Sequence, residues 1–141
     1  MIEADKKDIG GLGDYDFSRY PQILAVCLFG SKAAGKGHAK SDLDIALVVK
    51  KDFKLLENYD LPLVLSNELE HLLNCKVDVV IFNKMDPLFQ AEIRTKGKLI
   101  YVQDREELKR IFIRARKVLE DFLPHHEYYS KSLKREYLRH G

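Results

Sequence analysis

Four short apolar runs alternate along the chain with segments whose apolar residues recur every three or four positions. The runs span residues 23–29, 43–49, 76–82 and 98–102 and are rich in residues that favour strands. Their nearly continuous apolar character predicts strands that are buried in a sheet.

The segments after the second, third and fourth runs predict helices. Residues 53–74 are expected to be mostly helical, with a break near Pro62. A second helix is expected over residues 86–97, since an Asp-Pro pair opens this segment and a glycine closes it. The longest helix is expected over residues 104–123, where an aspartate again supplies the N-terminal cap.

The order of these elements predicts an α/β (α+β) fold in which helices flank a mixed sheet of four to five strands. Residues 30–41 are too few to form a parallel crossover helix, so the sheet is expected to be mixed. Residues 21–124 are the expected domain. Residues 1–20 are expected to be a flexible or partly helical lead-in, and residues 125–141 a tail that contacts a partner, with a further helix as one interpretation.

The composition is typical of a globular cytoplasmic protein. The chain has 141 residues, of which 45% are hydrophobic, and its formal net charge is +2. A charge so close to neutral argues against stable nucleic-acid binding over a broad surface. Apolar runs of about seven residues are too short to span a membrane, and the charged N-terminus does not resemble a signal peptide. Cys27 and Cys75 are expected to be buried free thiols of a reducing compartment.

The candidate chemistry begins with two aspartates at the start of the second strand. Asp42 and Asp44 alternate with Leu43 and Ile45, so both carboxylates are expected on one side of the strand, roughly 6–7 Å apart along it. Converging carboxylates repel each other unless a cation lies between them. Oxygen ligands at an open site suit Mg²⁺ or Mn²⁺ that is shared with substrate phosphates.

A third carboxylate and a glycine-rich segment extend this pattern. Asp78 interrupts an apolar strand, and it completes a three-carboxylate cluster if that strand lies beside the second one. Three carboxylates can hold two metal ions roughly 3.5–4 Å apart. Gly30 and Ser31 follow the first strand directly, where backbone N–H groups and a hydroxyl can approach a phosphate. Lysines in the same segment, among them Lys32 and Lys36, could neutralise a triphosphate.

The Gly30-Ser31 pair, the ten following residues and the Asp42-Leu43-Asp44 triplet resemble the signature of DNA polymerase β-like nucleotidyltransferases. The small size and the sequences Leu-Phe-Gly-Ser and Ser-Asp-Leu-Asp-Ile are similar to the minimal nucleotidyltransferases (MNT), the antitoxins of HEPN–MNT toxin–antitoxin modules. The resemblance covers about residues 22–122.

The resemblance implies a function and a set of roles. Asp42 and Asp44 would ligate two Mg²⁺ ions, and Asp78 would bind the catalytic ion and help to activate the attacking hydroxyl. Gly30 and Ser31 would hold the β- and γ-phosphates. ATP would be the substrate, and AMP would pass to a tyrosine of a partner HEPN ribonuclease toxin, which is thereby neutralised in a hetero-oligomer.

One departure from the family keeps other interpretations open. Many relatives carry Arg where this sequence has Ala34, and neither Lys32 nor Lys36 reproduces the bidentate contact of a guanidinium. The chain could therefore be a catalytically weak antitoxin that blocks the HEPN toxin by forming a complex. A third interpretation is a nucleotidyltransferase that acts on RNA or a small molecule, for which the near-neutral charge and the small size leave little surface.

Several further residues have simpler interpretations than catalysis. Ser31 has no His/Asp pattern to activate it as a nucleophile, and His38 is expected to be a solvated loop residue. Tyr128, Tyr129 and Tyr137 are expected to pack or to contact the toxin rather than to accept AMP.

Overall fold

The computed structural model describes residues 1–5, 9–30, 42–54, 57 and 60–123. The strands are β1 (Ile2–Glu3), β2 (Ile23–Phe29), β3 (Leu43–Val49), β4 (Val77–Ile81) and β5 (Lys98–Val102). The α-helices are α1 (Leu61–Leu73), α2 (Pro87–Lys96) and α3 (Arg105–Phe122), and the short 3₁₀ helices are Gly10–Asp14, Phe17–Arg19 and Phe82–Lys84. The tail over residues 125–141 lies outside the described residues, so its predicted role stays a prediction.

The strands form one mixed sheet in the order β1-β5-β2-β3-β4. β2 is antiparallel to both β3 and β5, whereas β4 is parallel to β3 and β1 is parallel to β5. The prediction of a mixed sheet flanked by helices is confirmed. The sequence pattern did not indicate β1, because a strand of two residues is too short to show a periodicity.

The two faces of the sheet are covered by different helices. Leu43, Ile45 and Leu47 of β3 belong to the apolar cluster that includes Leu65 and Leu69 of α1. Alternate residues belong to a second cluster, on the side of α2 and α3, with core members Ala46, Val48, Phe82, Ile93 and Ile111. Strand alternation therefore separates the chain into two cores, one on each side of the sheet.

The segment before β2 packs against the domain. Leu12 and Phe17, from the two N-terminal 3₁₀ helices, are buried in the α1 cluster. The Tyr15 hydroxyl donates a hydrogen bond to Glu68 of α1. Burial and this contact raise the pKa of Tyr15 above its ordinary value. Within the lead-in, residues 9–20 are thus partly helical and packed against the core, and Ile2–Glu3 pair with β5.

The start of α1 differs from the sequence prediction. The helix begins at Leu61, and Pro62 lies in its first turn, where the missing N–H of proline is not needed for an intrahelical bond. Pro62 therefore lies at the start of this helix, and the described residues 53, 54, 57 and 60 before it are not helical. The helix ends at Asn74, whose backbone is left-handed with φ of 54°.

The caps of the other two helices agree with the sequence. The Asp86 side chain accepts a hydrogen bond from the Phe89 N–H, at 2.9 Å, at the start of α2. Asp104 accepts hydrogen bonds from Glu106 and Glu107, at 3.0 and 3.2 Å, at the start of α3. Each cap satisfies N–H groups that the first turn leaves without an intrahelical partner.

Both cysteines are free, as expected, but only Cys27 is fully buried. Burial raises the pKa of Cys27 to about 12, so its thiol stays protonated. Cys75 is half-buried, because it follows the end of α1 and does not lie in a strand. Among the described residues, no helix combines the length and apolarity that crossing a membrane requires.

Candidate functional site

Three carboxylates lie at one end of the sheet, where β3 and β4 begin. β4 is parallel to β3, with Asp78 the direct register partner of Asp44. Register partners on neighbouring strands lie about 4.8 Å apart, and their side chains point to the same face. Asp42 immediately precedes β3, and its negative charge also acts on Asp44. The strand of Asp78 thus lies beside the strand of Asp44, which is the condition on which the predicted three-carboxylate cluster depends.

The electrostatics of Asp44 reflect this crowding. Burial raises the pKa of the Asp44 carboxyl, the negative charges of Asp78 and Asp42 raise it further, and Lys76 opposes them. Asp44 is half-buried, while Asp42 and Asp78 are exposed. The site thus contains one carboxylate that burial and like charges both make unfavourable, and a cation would offset that effect.

One premise of the sequence argument is wrong. Asp78 was expected to interrupt a buried strand and so to need a buried partner. β4 is the last strand of the sheet, and Asp78 is exposed to solvent. Its charge therefore carries little desolvation penalty, and its position opposite Asp44 is what links it to the site.

The described carboxylates are neighbours, but they do not converge on one point. In the described ranges, no group of three or more His, Cys, Asp and Glu residues is close enough to hold a metal ion. The two-Mg²⁺ site therefore stays a prediction. The type of ligand fits it, because exposed carboxylates beside a half-buried one are the oxygen ligands that Mg²⁺ takes when it also binds phosphates.

Gly30 brings the end of β2 directly against Asp44. Its φ of +75° is unfavourable for any residue with a side chain. A Cβ at this position would overlap Oδ2 of Asp44 and lie 3.2 Å from its Cγ. Phe29, the preceding residue, is the register partner of Asp44. Glycine is therefore required here for its conformation and for the space that the carboxylate occupies. The other predicted phosphate-binding residues, Ser31, Lys32 and Lys36, lie outside the described residues.

Two contacts hold the start of β4 in place. Oε1 of Glu70, in the last turns of α1, accepts a hydrogen bond from the Val77 N–H at 3.0 Å. The Leu43 N–H donates to the Lys76 carbonyl at 2.8 Å. Glu70 and Lys76 were not identified from the sequence. A carboxylate near the C-terminal end of a helix is unfavourable for the helix dipole, and this signal could have marked Glu70.

Arg94 of α2 is the buried charged residue of the described chain, with 4% of its surface exposed. None of its guanidinium nitrogens has a hydrogen-bond partner among the described residues. Burial lowers the pKa of Arg94, and the charge of Arg116 lowers it further. An unpaired buried charge destabilises a fold.

Comparison with known proteins identifies a family. The model of the family "Polymerase beta, Nucleotidyltransferase" matches residues 16–106 of this chain. That range includes Gly30 and the three aspartates. Among curated proteins, none is significantly similar.

Solved structures share the fold over nearly the whole chain. A chain of the crystal structure of a toxin–antitoxin with AMP-PNP is 18% identical, with a TM-score of 0.65 over 92% of this chain and 98% of that one. A chain of the tri-AMPylated Shewanella oneidensis HEPN toxin in complex with MNT antitoxin is 14% identical, with a TM-score of 0.63 over 89% and 95% of the two chains. A chain of the toxin–antitoxin MntA–HepT is 14% identical, with a TM-score of 0.63 over 92% and 98%.

Proposed function

Since the chain belongs to the polymerase β nucleotidyltransferase family, we propose that it transfers AMP from ATP to a tyrosine of a partner HEPN ribonuclease toxin and thereby neutralises that toxin. The observation that carries the proposal is the register of β3 and β4, which sets Asp44 beside Asp78 and next to Gly30. A cluster of carboxylates beside a close-approach glycine suits a metal-bound triphosphate.

The choice of partner is supported by the structural neighbours. One is a toxin–antitoxin with AMP-PNP, an ATP analogue, and another is an AMPylated HEPN toxin in complex with an MNT antitoxin. This chain covers 95% or more of the matched chain in both. The matched length therefore supports the same kind of module.

The carboxylates would hold two Mg²⁺ ions. Asp42 and Asp44 would supply oxygen ligands from β3, and Asp78 would supply them from β4. When bound, the ions neutralise the charge on the reacting phosphates. The raised pKa of Asp44 supports this assignment, because a bound cation offsets the repulsion and burial that raise it.

The reaction would be an in-line nucleotidyl transfer. The tyrosine oxygen forms a bond to the α-phosphorus of ATP, while the bond from that phosphorus to the bridging oxygen breaks and pyrophosphate leaves. Asp78 is exposed and can help remove the proton of the attacking hydroxyl. The segment that begins at Gly30 and Ser31 would hold the β- and γ-phosphates, and Lys32 and Lys36 would neutralise them.

The test is the intact mass of the product of the adjacent gene after incubation with the chain, ATP and Mg²⁺. We expect gains of about 329 Da for each AMP added, because pyrophosphate is the leaving group. The D44N/D78N variant is expected to give no gain. The matched control is Asp121→Asn, which removes an exposed carboxylate of α3 and is expected to behave as the wild type. Equal mass gains with D44N/D78N would contradict the proposal.

A second candidate function is an antitoxin that acts by binding alone. It is favoured by Ala34, where many relatives carry Arg, and by the described carboxylates, which are not converged on a metal position. The same experiment separates the two functions. A stable complex without any mass gain, formed equally by the wild type and D44N/D78N, would favour binding alone.

A further inference from the structure

A groove lies at the opposite end of β3 from the carboxylates. Lys50 is six residues beyond Asp44, which at about 3.3 Å per residue places it about 20 Å away along the strand. The groove has a volume of about 480 Å³ and is lined by the end of β3, the 3₁₀ helix Phe82–Lys84, the start of α2 and one face of α3. It therefore does not overlap the proposed AMP-transfer site.

Every charged side chain that lines this groove is a cation. Lys50 and Lys51 follow β3, Lys84 ends the 3₁₀ helix, and Arg114 lies on α3. No ion pair within the described ranges involves any of the four. Unpaired like charges around one concave surface attract an anionic partner.

The four cations fall into two pairs with different surroundings. Lys50 and Lys51 also line a neighbouring hollow that contains three acidic residues, namely Asp52, Asp104 and Glu107. Lys84 and Arg114 do not line that hollow, and both are exposed. Nearby carboxylates therefore offset the charges of Lys84 and Arg114 less than those of Lys50 and Lys51.

The walls between the cations are apolar. Ile111, Arg114, Ala115 and Val118 recur on α3 at the spacing of one helix face, and all four line the groove. Val118 is 48% exposed, although a β-branched residue usually packs inside a domain. Met85 and Pro87 supply the facing apolar wall. An apolar floor with a charged rim is the usual composition of a protein-binding surface.

Two side-chain amides fix the backbone beneath the groove. Asn83 accepts a hydrogen bond from the Val49 N–H at 2.9 Å and donates one to the Val49 carbonyl at 3.0 Å. Nε2 of Gln90 donates to the Phe82 carbonyl at 2.9 Å. The groove is thus held in shape without a ligand, which lowers the entropy cost of binding one.

We propose that this groove binds an acidic, amphipathic helical segment of a partner protein. Its carboxylates would pair with Lys84 and Arg114, and its apolar side chains would cover Val118 and the facing wall. The C-terminal segment of this chain is not such an acidic segment, since residues 124–141 contain four Lys or Arg and two Glu. Single-stranded nucleic acid fits less well, because of the two aromatic residues that line the groove, Phe82 is fully buried and Phe53 is partly buried.

The test uses the full chain without ATP. A failure of peptide binding is therefore independent of the proposed AMP transfer. The probe is a fluorescent peptide of about 18 residues with Leu at positions i, i+3, i+4 and i+7 and Glu at most others. We expect saturable binding by anisotropy that weakens as salt rises. The same peptide with Gln in place of Glu is expected to bind at least about tenfold more weakly, since one factor of ten corresponds to about 1.4 kcal/mol.

Charge reversal locates the binding surface. The K84E/R114E variant is expected to weaken binding of the acidic peptide at least about tenfold. The matched control is K109E/K117E, which reverses two exposed lysines of α3 outside the groove and is expected to change binding less than about twofold. All four side chains are exposed, and thermal melting confirms that both variants fold. Equal weakening by both variants would overturn the proposal. Tighter binding of an oligothymidylate of similar length, lost in K84E/R114E, would overturn it in favour of nucleic acid.

Discussion

The two ends of β3 carry opposite charges. At its amino end Asp44 faces Asp78 of the neighbouring strand, whereas its carboxyl end continues into Lys50 and Lys51. Since β3 and β4 are parallel, their first residues meet at one edge of the sheet and their last residues at the other. Parallel pairing thus collects carboxylates at one edge and cations at the opposite edge.

The difference between the ends lies in how tightly the charges are held. Asp44 is half-buried, and its neighbours raise its pKa, so a small cation is the natural complement. Lys84 and Arg114 are exposed around an apolar groove, so the complement is a larger anionic surface. Crowded like charges therefore indicate an ion site, and separated like charges with apolar walls indicate a docking surface.

The largest loss of stability is expected from Gly30→Ala, at the acidic end of β3. The new Cβ must adopt a positive φ and displace the Asp44 carboxylate, so we expect a loss of about 3 kcal/mol in the free energy of unfolding. Gly10→Ala is the matched control, since Gly10 has φ of +48° with nothing within 4 Å of its Cβ. That variant is expected to lose about 1 kcal/mol. Urea unfolding measures both, and equal losses would show that the contact with Asp44 is unimportant.

The next largest losses of stability are expected when the hydrogen bonds that hold the two ends of the strands are removed. Asn83→Ala removes two hydrogen bonds to Val49 at the basic end, and we expect a loss of about 2 kcal/mol. Glu70→Ala removes one bond to Val77 at the acidic end, and we expect about 1 kcal/mol. Glu70→Gln keeps an acceptor oxygen and should stay close to the wild type. A larger loss for Glu70→Ala than for Asn83→Ala would contradict this order.

A smaller effect is expected from the charge of Asp44 itself. Because its pKa is raised in the folded protein, the wild type loses stability as the pH rises from the ordinary aspartate range through the raised value. Asp44→Asn should therefore be more stable than the wild type at neutral pH, by an amount that solvent screening keeps small. The difference should vanish below about pH 3, where Asp44 is protonated in both the folded and the unfolded state of the wild type. Urea unfolding over that pH range, without Mg²⁺, is the measurement, and a difference that persists in acid would exclude an electrostatic cause.

The sequence predicted the parts of the molecule that depend on local patterns. The apolar runs indicated β2 to β5, the Asp-Pro pair indicated the start of α2, and Asp42 and Asp44 lie at the start of β3, as expected. These features follow from side-chain periodicity and caps, which neighbouring residues determine.

The remaining features depend on contacts between distant segments. The register of Asp44 with Asp78 follows from the path of α1 between the two strands, and no local pattern encodes it. Three other features arise in the same way. They are the hydrogen bond that the Val77 N–H donates to Glu70, the contact between Gly30 and Asp44, and the groove that Val49 lines. The exposure of Asp78 was mispredicted because strand order, not composition, makes β4 an edge strand.

The central claim, that the acidic end of β3 binds a metal-bound nucleoside triphosphate, is tested most directly by ligand-induced stabilisation. The measurement is the free energy of unfolding with Mg²⁺ and α,β-methylene ATP, which cannot release pyrophosphate. At about 100 times the dissociation constant, the wild type and Asp121→Asn are expected to gain about 2.7 kcal/mol. D44N/D78N is expected to gain nothing under the same conditions. An equal gain in D44N/D78N would contradict the account.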